Sequence, residues 1–372
     1  MIFSRFNIRR TLLWVHRWVG VLAGLVILVI ATTGGALVFE PTIQRWLRPD
    51  LYPSETVPRS QRVLLSVAIE KLNTAFPGAR VMGMRLPQHE RDSLVLFTAQ
   101  KAMHVHPRTG DVLGSRPRRG GWEQTMLNLH VNLLQGSIGG TVVVIATMLT
   151  LGLSLSGLWL WWPLRIVWFS KNKGKRRFYL DLHSVAGLYS SVFLLIISIS
   201  GLTLHYLHGD HPSPPQAMRP TEPNGSRISI DEATRIAEAT LKGSYALAVE
   251  MPPPNPRVPF RVQTAYPEDG SPAGRSVVFI SQLSGEVLAV HSSRVGNWLE
   301  IYQMAQLSIH TGTIGGTLTR SIAFLVCISL LLQVISGYIL WWKRPGTKKA
   351  TVKSENLIES LNQGSSTAGA GS

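Results

Sequence analysis

Four stretches of the chain contain no Asp, Glu, Lys or Arg: residues 18–39, 131–164, 184–204 and 321–342. Each reaches the roughly 20 residues that a helix rising 1.5 Å per residue needs to cross hydrocarbon. Backbone in lipid must satisfy its hydrogen bonds internally, so each stretch is read as a transmembrane helix. The first is read as a retained anchor. Its apolar run exceeds the roughly 7–15 residues of a cleaved signal, and its end, TTGGALVFEP, carries no small-x-small site at the right place.

Charge sets the expected orientation. Arg5, Arg9, Arg10 and Arg17 precede the first span; Arg165, Lys171, Lys173, Lys175, Arg176 and Arg177 follow the second; Lys343, Arg344, Lys348, Lys349 and Lys353 follow the fourth. The positive-inside rule places all three groups, and both termini, in the cytoplasm. Segments 41–129, with 13 basic and 7 acidic residues, and 206–309, with 8 and 10, then face outward. Together they account for only +4 of the +16 net charge, so most of the excess is cytoplasmic. That excess is a topology signal and a contact for anionic membrane lipids. No basic stripe is interleaved with aromatics, so no nucleic-acid partner is expected. The lone cysteine, Cys327, lies mid-span and excludes disulfides and cysteine metal sites.

The chain repeats itself. LLWVHRWVGVLAGLVILVIATTGG aligns with YLDLHSVAGLYSSVFLLIISISG, pairing His16 with His183, Gly20 with Gly187 and Gly34 with Gly201 at a shift of 167. A second pair of segments matches His130 with His310, Gly157 with Gly337 and Trp161–Trp162 with Trp341–Trp342 at a shift of 180, with the two IGGT motifs four residues out of register. The fold expected is membrane α-helical: a four-helix transmembrane bundle built from two parallel repeats, each carrying an outward α+β module. In the first module SVAIEKLN is read as helix, and ARVMGMRL, SLVLFTA and AMHVHPRTGDVLG as strands turning at Thr109–Gly110. In the second, SIDEATRIAEATLK is a helix with a Ser229–Glu232 capping box, and YALAVEM, PFRVQTA and RSVVFISQLSGEVLAV are strands with a turn at Ser284–Gly285.

The divisions expected are a cytoplasmic N-terminus 1–17, helix 18–40, first module 41–129, helix 130–164 and a basic loop 165–182. Helix 183–207, a Pro-rich linker with the second module 208–309, helix 310–342 and a low-complexity tail 343–372 complete the chain.

A single histidine at a span end is ordinarily an anchor that reaches headgroup water. Four in two equivalent pairs are harder to assign that way. Facing imidazoles in a helical bundle are the arrangement that holds haem iron from both axial sides. Gly20 and Gly187, four residues after His16 and His183 on the same face, make room for a porphyrin plate. Zinc or non-haem iron would call for carboxylates or cysteines, and the absence of CxxCH makes the haem b-type. Two haems, with His16, His130, His183 and His310 as axial ligands, would carry electrons and leave no open iron position. Lesser candidates sit in HYLHGDHP: His205 and His208 share a helical face and are alternatives for the outer haem or for a metal in transit, against a solvated helix end. His104 and His106 are read as an exposed strand face, and His89 and His291 carry no signal.

WVHRWVGVLAG and DLHSVAGLYSS, the LH or IH followed by IGGT, and the SGLWLWW and SGYILWW endings resemble the PepSY-associated transmembrane family of bacterial inner membranes. DEATRIAEA with VVFISQLSGEVL, and PRTGDVLG in the first half, look like PepSY modules. The resemblance implies haem b ligation by residues 16, 130, 183 and 310 and a Gram-negative inner membrane with two periplasmic modules. It also implies ferric-siderophore reductase activity that releases iron. No flavin or nicotinamide domain is recognisable, so the electron donor expected is a quinol or a separate reductase. Two other classes compete: a non-redox PepSY sensor or protease-regulating anchor, and a transporter, which would want charged residues mid-span.

Overall fold

The computed structural model describes residues 5–118, 120–170, 174–207, 227–253, 255, 257–269 and 276–343. His208, His211, the Pro-rich linker 212–226 and the tail beyond Lys343 lie outside the described residues.

In chain order, α1 (Arg5–Val38) leads into a short α2 (Glu40–Leu47). There follow α3 (Leu65–Ala75), β1 (Gly83–Arg85), β2 (Leu94–Phe97), β3 (Lys101–Val105) and β4 (Val112–Pro117). Then come α4 (Gly121–Asn132), α5 (Gly136–Trp161), α6 (Gly174–Tyr206) and α7 (Ile230–Thr240). The chain continues through β5 (Tyr245–Glu250), β6 (Phe260–Ala265), β7 (Ser276–Ile280) and β8 (Val287–His291), then α8 (Trp298–His310) and α9 (Gly316–Trp342). α1, α5, α6 and α9 are long and apolar enough to cross a membrane. α1 and α6 each pack against both α5 and α9. Ala23, Ile27 and Ala146 form the dry centre of this group, with Leu153 and Leu330 against it. Large apolar side chains on the outside stay bare, among them Leu22 at 76%, Ile138 at 75% and Leu318 at 71% exposed. A water-soluble surface would not carry them in such number, whereas lipid covers them at no cost.

Two helices read as continuous are broken. Residues 130–164 divide into the end of α4 and α5, because Leu133, Leu134 and Gly136 all take positive φ (50°, 61° and 56°). Residues 310–342 divide likewise, with Gly312 and Gly316 at φ 72° and 66°. An unbroken apolar run hides such a break, since hydropathy reports lipid contact and not direction. His130 and His310 therefore stand on separate helices, α4 and α8, and not on the spans. α5 and α9 nonetheless start 180 residues apart, at Gly136 and Gly316. The first IGGT, at 138–141, thus lies within the opening turns of α5, whereas the second, at 314–317, straddles the start of α9.

The segments between the first and second and between the third and fourth spans differ from the expectation of two separate modules. Their strands form one eight-stranded antiparallel sheet in the order β4-β3-β2-β1-β5-β6-β7-β8. The join is β1 against β5, with Met84 opposite Val249 and Arg85 opposite Ala248. Both inner edges would otherwise expose unpaired backbone; pairing removes the two edges at once. One face is buried under α3 and α7, with Met84, Leu96, Val105, Val249, Val262 and Ile280 at its core. Full burial of each such side chain contributes about 1.5–3 kcal/mol. At the start of α7, Ser229 Oγ accepts from Glu232 N–H at 3.1 Å, but the Glu232 carboxylate turns to Arg235 and leaves the box half-made. A complete capping box sits instead at Asn297 and Glu300 before α8.

Candidate functional site

The bundle brings the four repeat-related histidines together as two pairs. His16 of α1 and His183 of α6 meet with ring centroids 6.2 Å apart. His130 of α4 and His310 of α8 meet at 6.1 Å. The partners in each pair come from opposite halves of the chain.

Each ring is held the same way. His130 Nδ1 lies 3.0 Å from Ile30 O and 3.2 Å from Thr33 Oγ1, and a Cβ on Gly34 would come within 2.9 Å of its ring. His310 Nδ1 lies 2.9 Å from Ile197 O and 3.4 Å from Ser200 Oγ, and its ring covers Gly201 equally closely, at 2.9 Å. His183 Nδ1 reaches Gln333 O at 3.0 Å and Ser336 Oγ at 3.2 Å over Gly337. His16 Nδ1 reaches Ser156 Oγ at 2.8 Å over Gly157. Ser156 Oγ is itself 3.1 Å from Leu153 O, so its hydroxyl donates there and accepts from the imidazole. The motif is a hydroxyl–glycine dipeptide. The glycine lets an imidazole lie on bare helix backbone, and the hydroxyl and the carbonyl one turn back take the Nδ1 proton. A carbonyl oxygen only accepts, so in three rings Nδ1 must carry the hydrogen, leaving Nε2 with a lone pair. None of the described residues bonds Nε2 of any of the four.

Sequence reasoning aligned Gly34 with Gly201 and Gly157 with Gly337 but gave them no role. The signal was present, because each follows a Thr or Ser: Thr33, Ser200, Ser156 and Ser336. Gly20 and Gly187 do not touch the imidazoles. They line a cavity of about 390 Å³ around His16 and His183. Arg9, Arg17 and Arg176 border the same cavity, and Trp161 and Trp341 wall it. Gly24 receives the Tyr338 ring, whose hydroxyl donates to Val21 O at 2.7 Å. Gln333 is satisfied locally by Ser190 Oγ at 3.2 Å and Ser329 O at 3.3 Å.

The remaining histidines divide. His205 stands beside Tyr206, 5.0 Å between centroids, and faces Gly140. Among the described residues no three His, Cys, Asp or Glu converge on one point, so each histidine pair is a two-donor site. His106 lies 3.8 Å from Glu55. His104 corrects the reading of an exposed strand face: it is 3% exposed. Leu51 and Tyr52, from a segment 50 residues away in sequence, fold over that strand and cover it. His104 Nδ1 lies 2.7 Å from Ser93 Oγ, and Nε2 accepts from Arg116 Nε at 3.3 Å. Burial first, then the Arg116 guanidinium, push its pKa down to about 4. Arg116 in turn pairs with Glu123 at the start of α4, the helix that ends at His130.

No curated protein matches the chain closely enough to serve as a relative. The family model of the PepSY-associated TM region matches residues 13–344, which takes in all four spans, both histidine pairs and the sheet. The chain therefore belongs to the PepSY-associated transmembrane family, as a multi-pass membrane protein.

Proposed function

We propose that this protein is a b-type di-haem electron-transfer protein of the bacterial inner membrane. It passes electrons to the periplasm and reduces ferric siderophores there to release iron. The observation that carries the reading is the separation of the paired imidazoles. With metal–nitrogen bonds of about 2 Å, two imidazoles sharing one metal hold their centroids roughly 6.3 Å apart. Both pairs stand at that spacing, 6.2 and 6.1 Å.

The donor set supports haem over other metals. A two-donor site leaves a zinc ion short of its usual four ligands, whereas a porphyrin brings four nitrogens of its own. Metal-bound histidine almost always donates its other ring N–H to a fixed acceptor; all four rings have such a partner at Nδ1. With Nδ1 committed, the four Nε2 lone pairs have no partner among the described residues and are free to accept a metal. Bound there, haem iron supplies one-electron transfer between its ferric and ferrous states. His16 and His183 would hold the inner group and Arg9, Arg17 and Arg176 would face its carboxylates at the cytoplasmic mouth. His130 and His310 would hold the outer group beneath the sheet. His16 and Gly34, which seats His130, are 18 residues apart on one helix, about 27 Å along its axis. The halves act as parallel repeats about one axis, each contributing one ligand to each site. Electrons enter from a quinol or a separate reductase.

A haem assay with reduced-minus-oxidised spectra, on wild type and single His→Ala variants at 16, 130, 183 and 310, tests this. Two haems per chain are expected, one lost with either member of a pair. Colourless wild-type protein would favour a non-redox PepSY sensor or anchor.

A further inference from the structure

The sheet has one face under α3 and α7 and another turned toward the outer ends of the bundle. Cross-strand register places two rows of side chains on that second face. One row runs His104–Val95–Arg85–Ala248–Gln263; the next runs Arg116–Ala102–Phe97–Gly83–Glu250–Arg261. The flanks of this face are closed. Ala102 and His104 are buried on one side, Arg261 and Phe279 on the other. Its centre is open: Arg85 and Glu250, on the two middle strands, are the exposed residues of β1 and β5. Arg85 is also within electrostatic reach of Glu40, which follows α1, and Glu40 in turn of Arg320 on α9. The open centre therefore looks onto the end of the bundle that holds His130 and His310.

The charges here are not balanced. Arg116 is paired with Glu123, and Glu250 with Arg261. Arg85 has no carboxylate partner among the described residues; its guanidinium lies 5.8 Å from the Phe97 ring centroid. Arg118 lies 6.0 Å from the same ring and bonds only Thr98 O, at 3.2 Å, and Met82 Sδ, at 3.3 Å. Crowding by protein, then the Arg116 charge, pull the Arg85 pKa down against the opposing pull of Glu40, although solvent still reaches the side chain.

Resting on the electron-transfer reading above, we infer that Arg85 and Arg118, flanking Phe97 at the centre of the bundle-facing side of the sheet, form the docking site for a negatively charged ferric chelate. Two guanidinium forks supply charge-assisted hydrogen bonds to carboxylate or catecholate oxygens. Phe97 supplies an apolar floor between them.

The test uses the full chain in detergent and redox-inert gallium(III) chelates, so that binding is read without electron transfer. Wild type should bind the Ga(III)–EDTA anion with salt-sensitive affinity and prefer it to neutral Ga(III) tris(acetohydroxamate). Arg85→Gln and Arg118→Gln should each raise the Kd for the anion about tenfold and leave the neutral complex unchanged. Arg85→Lys should recover part of the loss, and Arg257→Gln, an exposed arginine elsewhere, should change nothing. Equal binding of the anion by wild type and Arg85→Gln overturns the proposal. So does a shifted midpoint potential of the outer haem in Arg85→Gln with anion binding intact, which would give Arg85 to a propionate. Loss of the Soret band in wild type would defeat the electron-transfer reading on its own, independently of the gallium result.

Discussion

At the scale of the residue, the four glycines under the imidazoles are not equivalent. A Cβ at Gly34 or Gly201 would stand 2.9 Å from the ring it carries, a distance real Cβ atoms do not show. At Gly157 and Gly337 the same atom would stand at 3.4 and 3.6 Å, close to ordinary contact. The rings cannot retreat, because their Nδ1 bonds of about 3 Å tie them to the same turn of helix. Gly34→Ala or Gly201→Ala should therefore displace His130 or His310 at a cost of about 1–3 kcal/mol and, on the proposed di-haem reading, empty the outer site of its haem. Gly157→Ala and Gly337→Ala should keep the inner haem. Haem per chain in the four variants, with the reduced spectrum to say which haem remains, decides it; equal losses in all four would contradict the seat geometry. The histidines were legible in the sequence because a titratable ring recurring at shifts of 167 and 180 stands out in an apolar run. Their seats were not read, since a Ser–Gly dipeptide in a membrane helix also serves ordinary close packing, and only the ring above it distinguishes the two.

At the scale of the element, regular structure followed from local pattern wherever the pattern was local. The strands at 83–85, 94–97, 245–250, 260–265 and 276–280 fall inside the runs read as strands, that at 101–105 begins one residue before its run, α7 falls inside its helical run, and α3 extends beyond SVAIEKLN at both ends. What depends on distant segments was not legible: the β1–β5 join, the breaks before α5 and α9, and the burial of His104. That burial has a pH consequence. The folded pKa of His104 is about 4 against 6.5 in the open chain. Between those values the unfolded state binds the extra proton. The stability that His104 contributes is therefore complete above about pH 6.5 and drains away as pH falls toward 4, on the order of 3 kcal/mol in all. Protonation places a second cation against Arg116 and takes away the lone pair that accepts from it. Amide exchange of β2 and β3 should accelerate steeply as pH drops from 7 to 4.5, after correction for intrinsic rates, and His104→Gln should flatten that dependence. A wild-type profile as flat as the variant's would mean that His104 is charged in the folded state.

At the scale of the whole molecule, ligand support and ligand pairing are divided between the halves in opposite ways. Each imidazole rests on a seat from its own half: His16 on Gly157, His130 on Gly34, His183 on Gly337 and His310 on Gly201. Each imidazole faces a partner from the other half, as the two pairs show. The sheet follows the second rule, since β1 and β5 join across the halves. A half-chain can thus set its two rings in place yet presents only one face of each site and one raw sheet edge. Cutting the chain between α5 and α6 separates residues 1–170 from 174–372 without dividing a seat. Each fragment expressed alone should be inserted but colourless. Co-expressed, the two should co-purify, held by the contacts of α1 with α9 and α5 with α6 and by the β1–β5 seam, and should recover both haems. A coloured single fragment would mean that one half pairs with a copy of itself. In that case the differences between the halves, Arg320 against Gly140 at the outer end above all, would no longer be needed to direct the pairing.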